Sequence, residues 1–267
     1  MAALPEKARV VIIGQGGIVG ASVAHHLVQN GWDDIVGLEK SAIPTDIGST
    51  SHASDFCYMT SHDKLNVFTS TYSREFYKSR GNFIEIGGME VARKGDDAQV
   101  QELLRKVGSG KAFGTNARMI RAAEAKERFP LLEEDTIECA MWDPDAGLVT
   151  PRSQKVAGDL VDEAVAAGKL QAFPYTPAEE IIVEDGRVVG VKTAKGTIMA
   201  DHVVLCVGIW GSLVSETANV KLPLMPVEHP LLFFGPWDAL EGTGEDIVYP
   251  LFRDQGNSAY VRDTGDP

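Results

Sequence analysis

Residues 9–39 confine the chain to very few folds. The run Arg9-Val10-Val11-Ile12-Ile13 is short, β-branched and free of polar alternation, the pattern of a parallel strand buried on both faces. It leads directly into Gly14-Gln15-Gly16-Gly17-Ile18-Val19-Gly20, then into residues 21–28, whose spacing is helical and which stop at Asn30-Gly31. Residues 34–39 read as a second strand. Strand, glycine turn, helix and strand, in that order, make a dinucleotide-binding βαβ unit. Glycines allow the tight turn and let backbone approach a pyrophosphate, whose charge then rests on the helix N-terminus. Glu39 stands about 20 residues beyond the turn, where a carboxylate accepts ribose hydroxyls and repels a 2′-phosphate. One departure is visible. The spacing G-x-G-x-x-G counted from Gly14 requires glycine at position 19, where Val19 stands, so the loop carries one extra residue. A βαβ unit with no ligand is the plainer alternative.

The remaining bulk properties act mainly by exclusion. The chain has 267 residues, 44% of them hydrophobic, enough for one large domain or two small ones with real cores. A net charge of -13 opposes binding to nucleic acid or to an anionic membrane surface, and the acids are dispersed as on a solvated surface. Cys57, Cys139 and Cys206 are far apart and form no metal-ligand spacing, so a reducing, cytoplasmic setting is expected, without metal. No apolar run reaches the roughly 20 residues of a membrane-spanning helix.

After Glu39 the chain does not continue as a second plain βα unit. Residues 41–54 form a turn-rich, hydroxyl-rich loop ending in GSTSHAS, where His52 is the one large ring among small residues. A helix is expected over 62–80, with Leu65, Phe68, Tyr72 and Phe76 as a core-packing stripe. Strands are expected over 83–92 and 137–142, helices over 97–107 and 151–168, and a strand then a short helix over 116–129. A three-stranded meander follows, turned at Asp185-Gly186 and Lys195-Gly196, and its last strand runs into Gly208. His25, His26 and His62 receive no role.

The stretches GSTSHA, IGGMEVA, WDPDAGLV, CVGIWG, LPLMPVEHP and RDQGNSAYVRDTGD occur in this order. Together they resemble the dimethylglycine oxidase/dehydrogenase and sarcosine dehydrogenase group of D-amino-acid-oxidase-like FAD oxidoreductases. The resemblance implies an α/β (α+β) architecture in which a Rossmann-like FAD-binding domain is interleaved with a β-rich substrate domain. It implies residues 1–83 and 149–214 for the first and 84–148 and 215–267 for the second, with the closing segment of the FAD domain absent from this chain. The implied activity is FAD-dependent oxidative N-demethylation of a methylated glycine. The implied cofactor contacts are Gly14, Gly17, Ile18, Val19, Gly20, Glu39, Lys40, Ser49, Thr50, Ser51, Phe56, Ala178 and Gly208. The same resemblance implies His52 as a flavin contact, with covalent attachment of FAD through its 8α-methyl carbon as an option. Asp55, where relatives commonly carry glycine, is a departure beside that loop. His229 and Tyr260 are the implied catalytic pair, while Arg253 and Arg262 are candidates to hold a substrate carboxylate. The expected partner is a small methylated amine, and tetrahydrofolate enters only with a further C-terminal domain. An NAD-dependent dehydrogenase and an inactive, cofactor-free fragment remain as alternatives, and oligomeric state is left open.

Overall fold

A computed structural model describes residues 3–235, 237 and 246–265. Two compact units are formed, residues 1–53 with 151–231, and residues 54–150 with 232–267. The first opens with β1 (Lys7–Ile13), α1 (Ile18–Gln29) and β2 (Ile35–Leu38). The chain then supplies the second unit with β3 (Phe56–Cys57), α2 (Lys64–Ser79), β4 (Phe83–Glu85), β5 (Gly88–Arg93), α3 (Asp97–Ala112) and β6 (Arg118–Arg121). The same stretch continues through α4 (Ala122–Arg128), β7 (Ile137–Asp143) and β8 (Gly147–Val149). It returns to the first unit for α5 (Ser153–Ala166), β9 (Leu170–Phe173), β10 (Ala178–Glu184), β11 (Arg187–Thr193), β12 (Gly196–Leu205) and α6 (Gly211–Glu216). The last strands, β13 (Leu251–Asp254) and β14 (Ala259–Val261), belong again to the second unit.

The first unit is built on a six-stranded sheet in the order β10-β11-β12-β1-β2-β9. The four strands from β12 to β9 run parallel, and β10, β11 and β12 form the antiparallel meander. The apolar run in β1 is buried as a central parallel strand requires, with Val11 and Ile12 wholly inaccessible. Asp185 and Gly186 both adopt positive φ, 50° and 74°, as a type I′ hairpin turn demands. Helices α1 and α5 pack together, with buried His25 Nδ1 3.3 Å from Glu163 Oε2.

The second unit carries a five-stranded sheet, β14-β13-β5-β7-β6, and a three-stranded one, β3-β8-β4. Residues 54–83, grouped with the FAD domain by resemblance, lie in this unit because β3 and β4 both pair with β8. The strand expected over 83–92 is interrupted at Gly87, whose φ of +73° breaks it into β4 and β5.

The helix expected over 62–80 is α2, capped by the Asp63 carboxylate accepting from the Asn66 N–H at 2.9 Å. Its apolar stripe is not core. Leu65, Phe68 and Tyr72 are 67%, 65% and 51% exposed, and the residue that α2 buries is Val67. Periodicity located an apolar face but not what covers it. Phe68→Ala is therefore expected to change stability by no more than about 0.5 kcal/mol. Val67→Ala should cost about 2 kcal/mol through lost burial. Urea unfolding of the two variants, followed by circular dichroism, checks the ordering.

Candidate cofactor site

The parallel strands β12, β1 and β2 end level with one another. Ile13, the last residue of β1, is opposite Leu205 on one side and Leu38 on the other. The Gly14 N–H donates to the Leu38 carbonyl at 2.9 Å, and the Cys206 N–H donates to the Ile13 carbonyl at 2.8 Å. The chain leaves β1 at Gly14 with φ +91°, where a Cβ would collide with the Cys206 carbonyl. Gly20 lies behind the turn, and a Cβ there would collide with the Gly14 carbonyl, so its absence lets α1 close onto the strand end.

A cleft of about 800 Å³ opens above these strand ends, entirely within the first unit. Of the residues singled out from sequence, Gly14, Gly17, Ile18, Val19, Glu39, Lys40, Ser49, Thr50, Ala178 and Gly208 line it. The helix N-terminus at its floor is suited to an anion. Gly17, the N-cap of α1, has no side chain to cap the helix, and the first turn carries no acid. Thr50 Oγ1 accepts from the Ile18 N–H at 3.0 Å and so ties the hydroxyl-rich loop to the glycine turn.

Glu39 is buried, its Oε2 accepting from the Gly16 N–H at 2.9 Å and its Oε1 from the Ser41 N–H at 3.2 Å. Oε1 also accepts from the Ser41 hydroxyl at 3.5 Å, whereas Oε2, with two acceptor positions and the Gly16 N–H on one of them, keeps capacity for a further donor. Gln15, the residue before Gly16, is folded inward against Gly37, and its Nε2 donates to the Gly20 carbonyl at 3.3 Å. Burial holds the Lys40 ammonium below the ordinary lysine range, opposed in part by Glu39. Cys206 also lines the cleft, and burial pushes its thiol up to about 11.

The profile of the family described as FAD dependent oxidoreductase (DAO) matches residues 9–266. The chain belongs to this family. Over 97% of its length it is 31% identical to the mitochondrial pyruvate dehydrogenase phosphatase regulatory subunit of Mus musculus, covering 29% of that protein. Over 98% it is 29% identical to the mitochondrial sarcosine dehydrogenase of Homo sapiens, covering 28% of that protein. The chain thus spans under a third of the length of each of these two relatives. Among solved structures, L-proline dehydrogenase from P. horikoshii is 28% identical with a TM-score of 0.81, covering 98% of this chain and 68% of that one. An FAD oxidoreductase domain explains why the acid-free helix start, the glycine turn and the acid at the tip of β2 share one cleft, and it displaces the NAD alternative. Those residues fit the adenosine and pyrophosphate part of FAD.

The other site residues are distributed less compactly. Ser51 and His52 are not part of the cleft wall; the Ser51 hydroxyl donates to the Gly48 carbonyl at 2.8 Å. His52 is exposed, with Nδ1 3.0 Å from Ser51 Oγ and 3.1 Å from the Gly48 carbonyl. His229 belongs to the first unit, in an exposed stretch, 220–235, without helix or strand. Phe56 and Tyr260 belong to the second unit, where their rings meet edge to face, 5.0 Å between centroids. Asp55, buried at a left-handed φ of 62°, has its Oδ2 3.8 Å from Arg262 Nη2. Arg253 Nη1 lies 3.9 Å from Glu90 Oε2. Among the described residues no cluster of histidine, cysteine or acid could hold a metal, and no helix is long and apolar enough to cross a membrane.

Sequence reading missed Thr45, Ser153, Thr176, Pro177, Trp210, Leu222 and Leu224, all in the cleft wall. Trp210 stood inside the motif CVGIWG, but its role depends on sheet order, which local pattern does not carry.

Two outcomes follow from this geometry. Glu39→Ala leaves the Gly16 and Ser41 amides without their acceptor and is expected to destabilise the protein by about 2 kcal/mol in chemical denaturation. Cys206, its thiolate disfavoured by burial, should alkylate with iodoacetamide at pH 8 more slowly than a free cysteine. Because its folded pKa is raised, its contribution to stability is complete below the unfolded value and is lost as pH rises toward about 11.

Proposed function

We propose that the chain is the FAD-binding and substrate-facing part of an amine oxidoreductase that N-demethylates a methylated glycine of the sarcosine or dimethylglycine type. The observation that carries this reading is the acid-tipped, glycine-floored cleft in a chain that aligns over 98% of its length with a sarcosine dehydrogenase. Bound flavin supplies a two-electron acceptor for the N-methyl carbon. The chain's own residues have to bind the substrate amine unprotonated, since an ammonium has no lone pair to stabilise the carbon losing those electrons. We assign that proton to His229, whose imidazole can accept it, or to a hydrogen bond with the Tyr260 phenol. The iminium product then takes up water and separates into the demethylated amine and formaldehyde. Tetrahydrofolate capture of that carbon belongs to this reading only where a further domain accompanies the chain.

Attachment of FAD through His52 is a separable part of the proposal. The Gly48 carbonyl can only accept, so bonding to it puts the imidazole proton on Nδ1 and leaves the Nε2 lone pair as nucleophile. A reducing, cytoplasmic setting with no nucleic-acid or anionic-membrane partner completes the reading, supported by three free thiols and the acidic balance.

Anaerobic addition of sarcosine or dimethylglycine to the flavin-loaded protein is expected to bleach its visible flavin absorption. A loaded protein that no N-methyl amine bleaches would overturn the activity while leaving FAD binding intact. Mass measurement after acid precipitation decides the attachment, since flavin bound through His52 stays on the polypeptide and disappears in His52→Ala.

A further inference from the structure

Lys40 and Trp210 come from opposite sides of the cofactor cleft. Lys40 follows the tip of β2, and Trp210 ends the turn Gly208–Trp210 that follows β12. Because the sheet order is β12-β1-β2, the end of β1 and its Gly14 turn lie between them. The two side chains nonetheless meet, with Lys40 Nζ 3.3 Å from the centroid of the Trp210 ring. Both residues line the cleft, so this contact crosses its mouth above the glycine turn.

The two anchors are firmly held. Glu39, next to Lys40, is fixed by the Gly16 and Ser41 amides, and its carbonyl accepts from the Thr176 N–H at 2.7 Å. The Trp210 N–H donates to the Val207 carbonyl at 3.1 Å, and Gly208, at φ +51°, sets the turn that presents the ring. An ammonium that gives up water in favour of an indole face is compensated by the ring quadrupole, and the contact strengthens as water is excluded. The lowered lysine pKa, caused by burial, agrees with that placement.

Resting on the FAD reading above, we propose that Lys40 and Trp210 form a latch across the cleft that retains the bound dinucleotide. The cofactor enters when the contact opens and leaves at a rate set by its opening. Lys40 and Trp210 are therefore positioning residues for the cofactor and take no part in the oxidation.

The test measures flavin release from the protein carrying His52→Ala, so that only non-covalent contacts hold FAD. Lys40→Met keeps the aliphatic stem and removes the charge, and Trp210→Leu removes the ring. Each is expected to raise the release rate by about threefold to tenfold. The double variant should release no faster than the faster single one, because either change alone opens the latch. Lys40→Arg should return release to near the parent rate. Unchanged release in Lys40→Met, or effects that multiply in the double variant, would overturn the latch while FAD binding stands. If Trp210→Leu does not fold, the contrast between Lys40→Met and Lys40→Arg decides alone, and equal release from the two overturns the proposal. A parent protein that takes up no FAD would overturn both the latch and the flavin reading.

Discussion

The site depends on one register. Ile13 pairs with Leu38 and with Leu205, so three parallel strands finish at the same height. A shift of one residue in either pairing would turn β1 over and bring a side chain to the position that Gly14 must occupy. Gly14 then cannot be replaced: lacking a Cβ it adopts a positive φ freely, and the carbonyl of Cys206 fills the space a Cβ would need. From that point the helix start, the acid on β2 and the turn after β12 are carried to one opening by strand geometry alone. The cleft is in this sense a consequence of backbone pairing, and its side chains select what enters.

A protein with a net charge of -13 binds an anionic dinucleotide only if local fields exceed the global one. Most of the acidic charge is exposed and is screened within roughly 8–10 Å at physiological ionic strength. The floor of the cleft presents instead the positive end of α1, at hydrogen-bonding range and without an acid in its first turn. Glu39 adds a carboxylate beside it, yet that charge is offset by the Gly16 and Ser41 amides that donate to it. Lys40, the cation of the wall nearest that acid, rests its ammonium on the Trp210 ring.

Much of the first unit was legible because its constraints are local. A β-branched run, glycines whose conformations exclude side chains, and an acid at fixed spacing specify β1, the turn, α1 and β2 without reference to distant residues. Asp185-Gly186 was legible for the same reason, since both positions need positive φ. What failed was long-range. The apolar stripe of α2 has helical spacing, but spacing does not say whether another element covers it, and Leu65 and Phe68 remain exposed. Residues 54–83 follow the cofactor loop in sequence, yet β3 and β4 pair with β8 roughly a hundred positions away or fewer, a partner no local pattern names. Trp210 was overlooked because its importance arises only when β12 and β2 are known to flank β1.

The two arginines near the end of the chain show how the second unit holds guanidinium groups beside buried acids. Arg262 faces the buried Asp55 at 3.8 Å and Arg253 faces the buried Glu90 at 3.9 Å, separations longer than a direct charge-assisted hydrogen bond. Glu90 is satisfied more closely by Lys106, at 2.8 and 3.0 Å, so Arg253 acts there as a second cation beside an already paired acid. Arg253 also lies 5.5 Å from the Tyr58 ring centroid and 6.0 Å from that of Phe56, whose ring meets Tyr260. Charge is thereby gathered beside the Phe56–Tyr260 pair with its orientation fixed from behind.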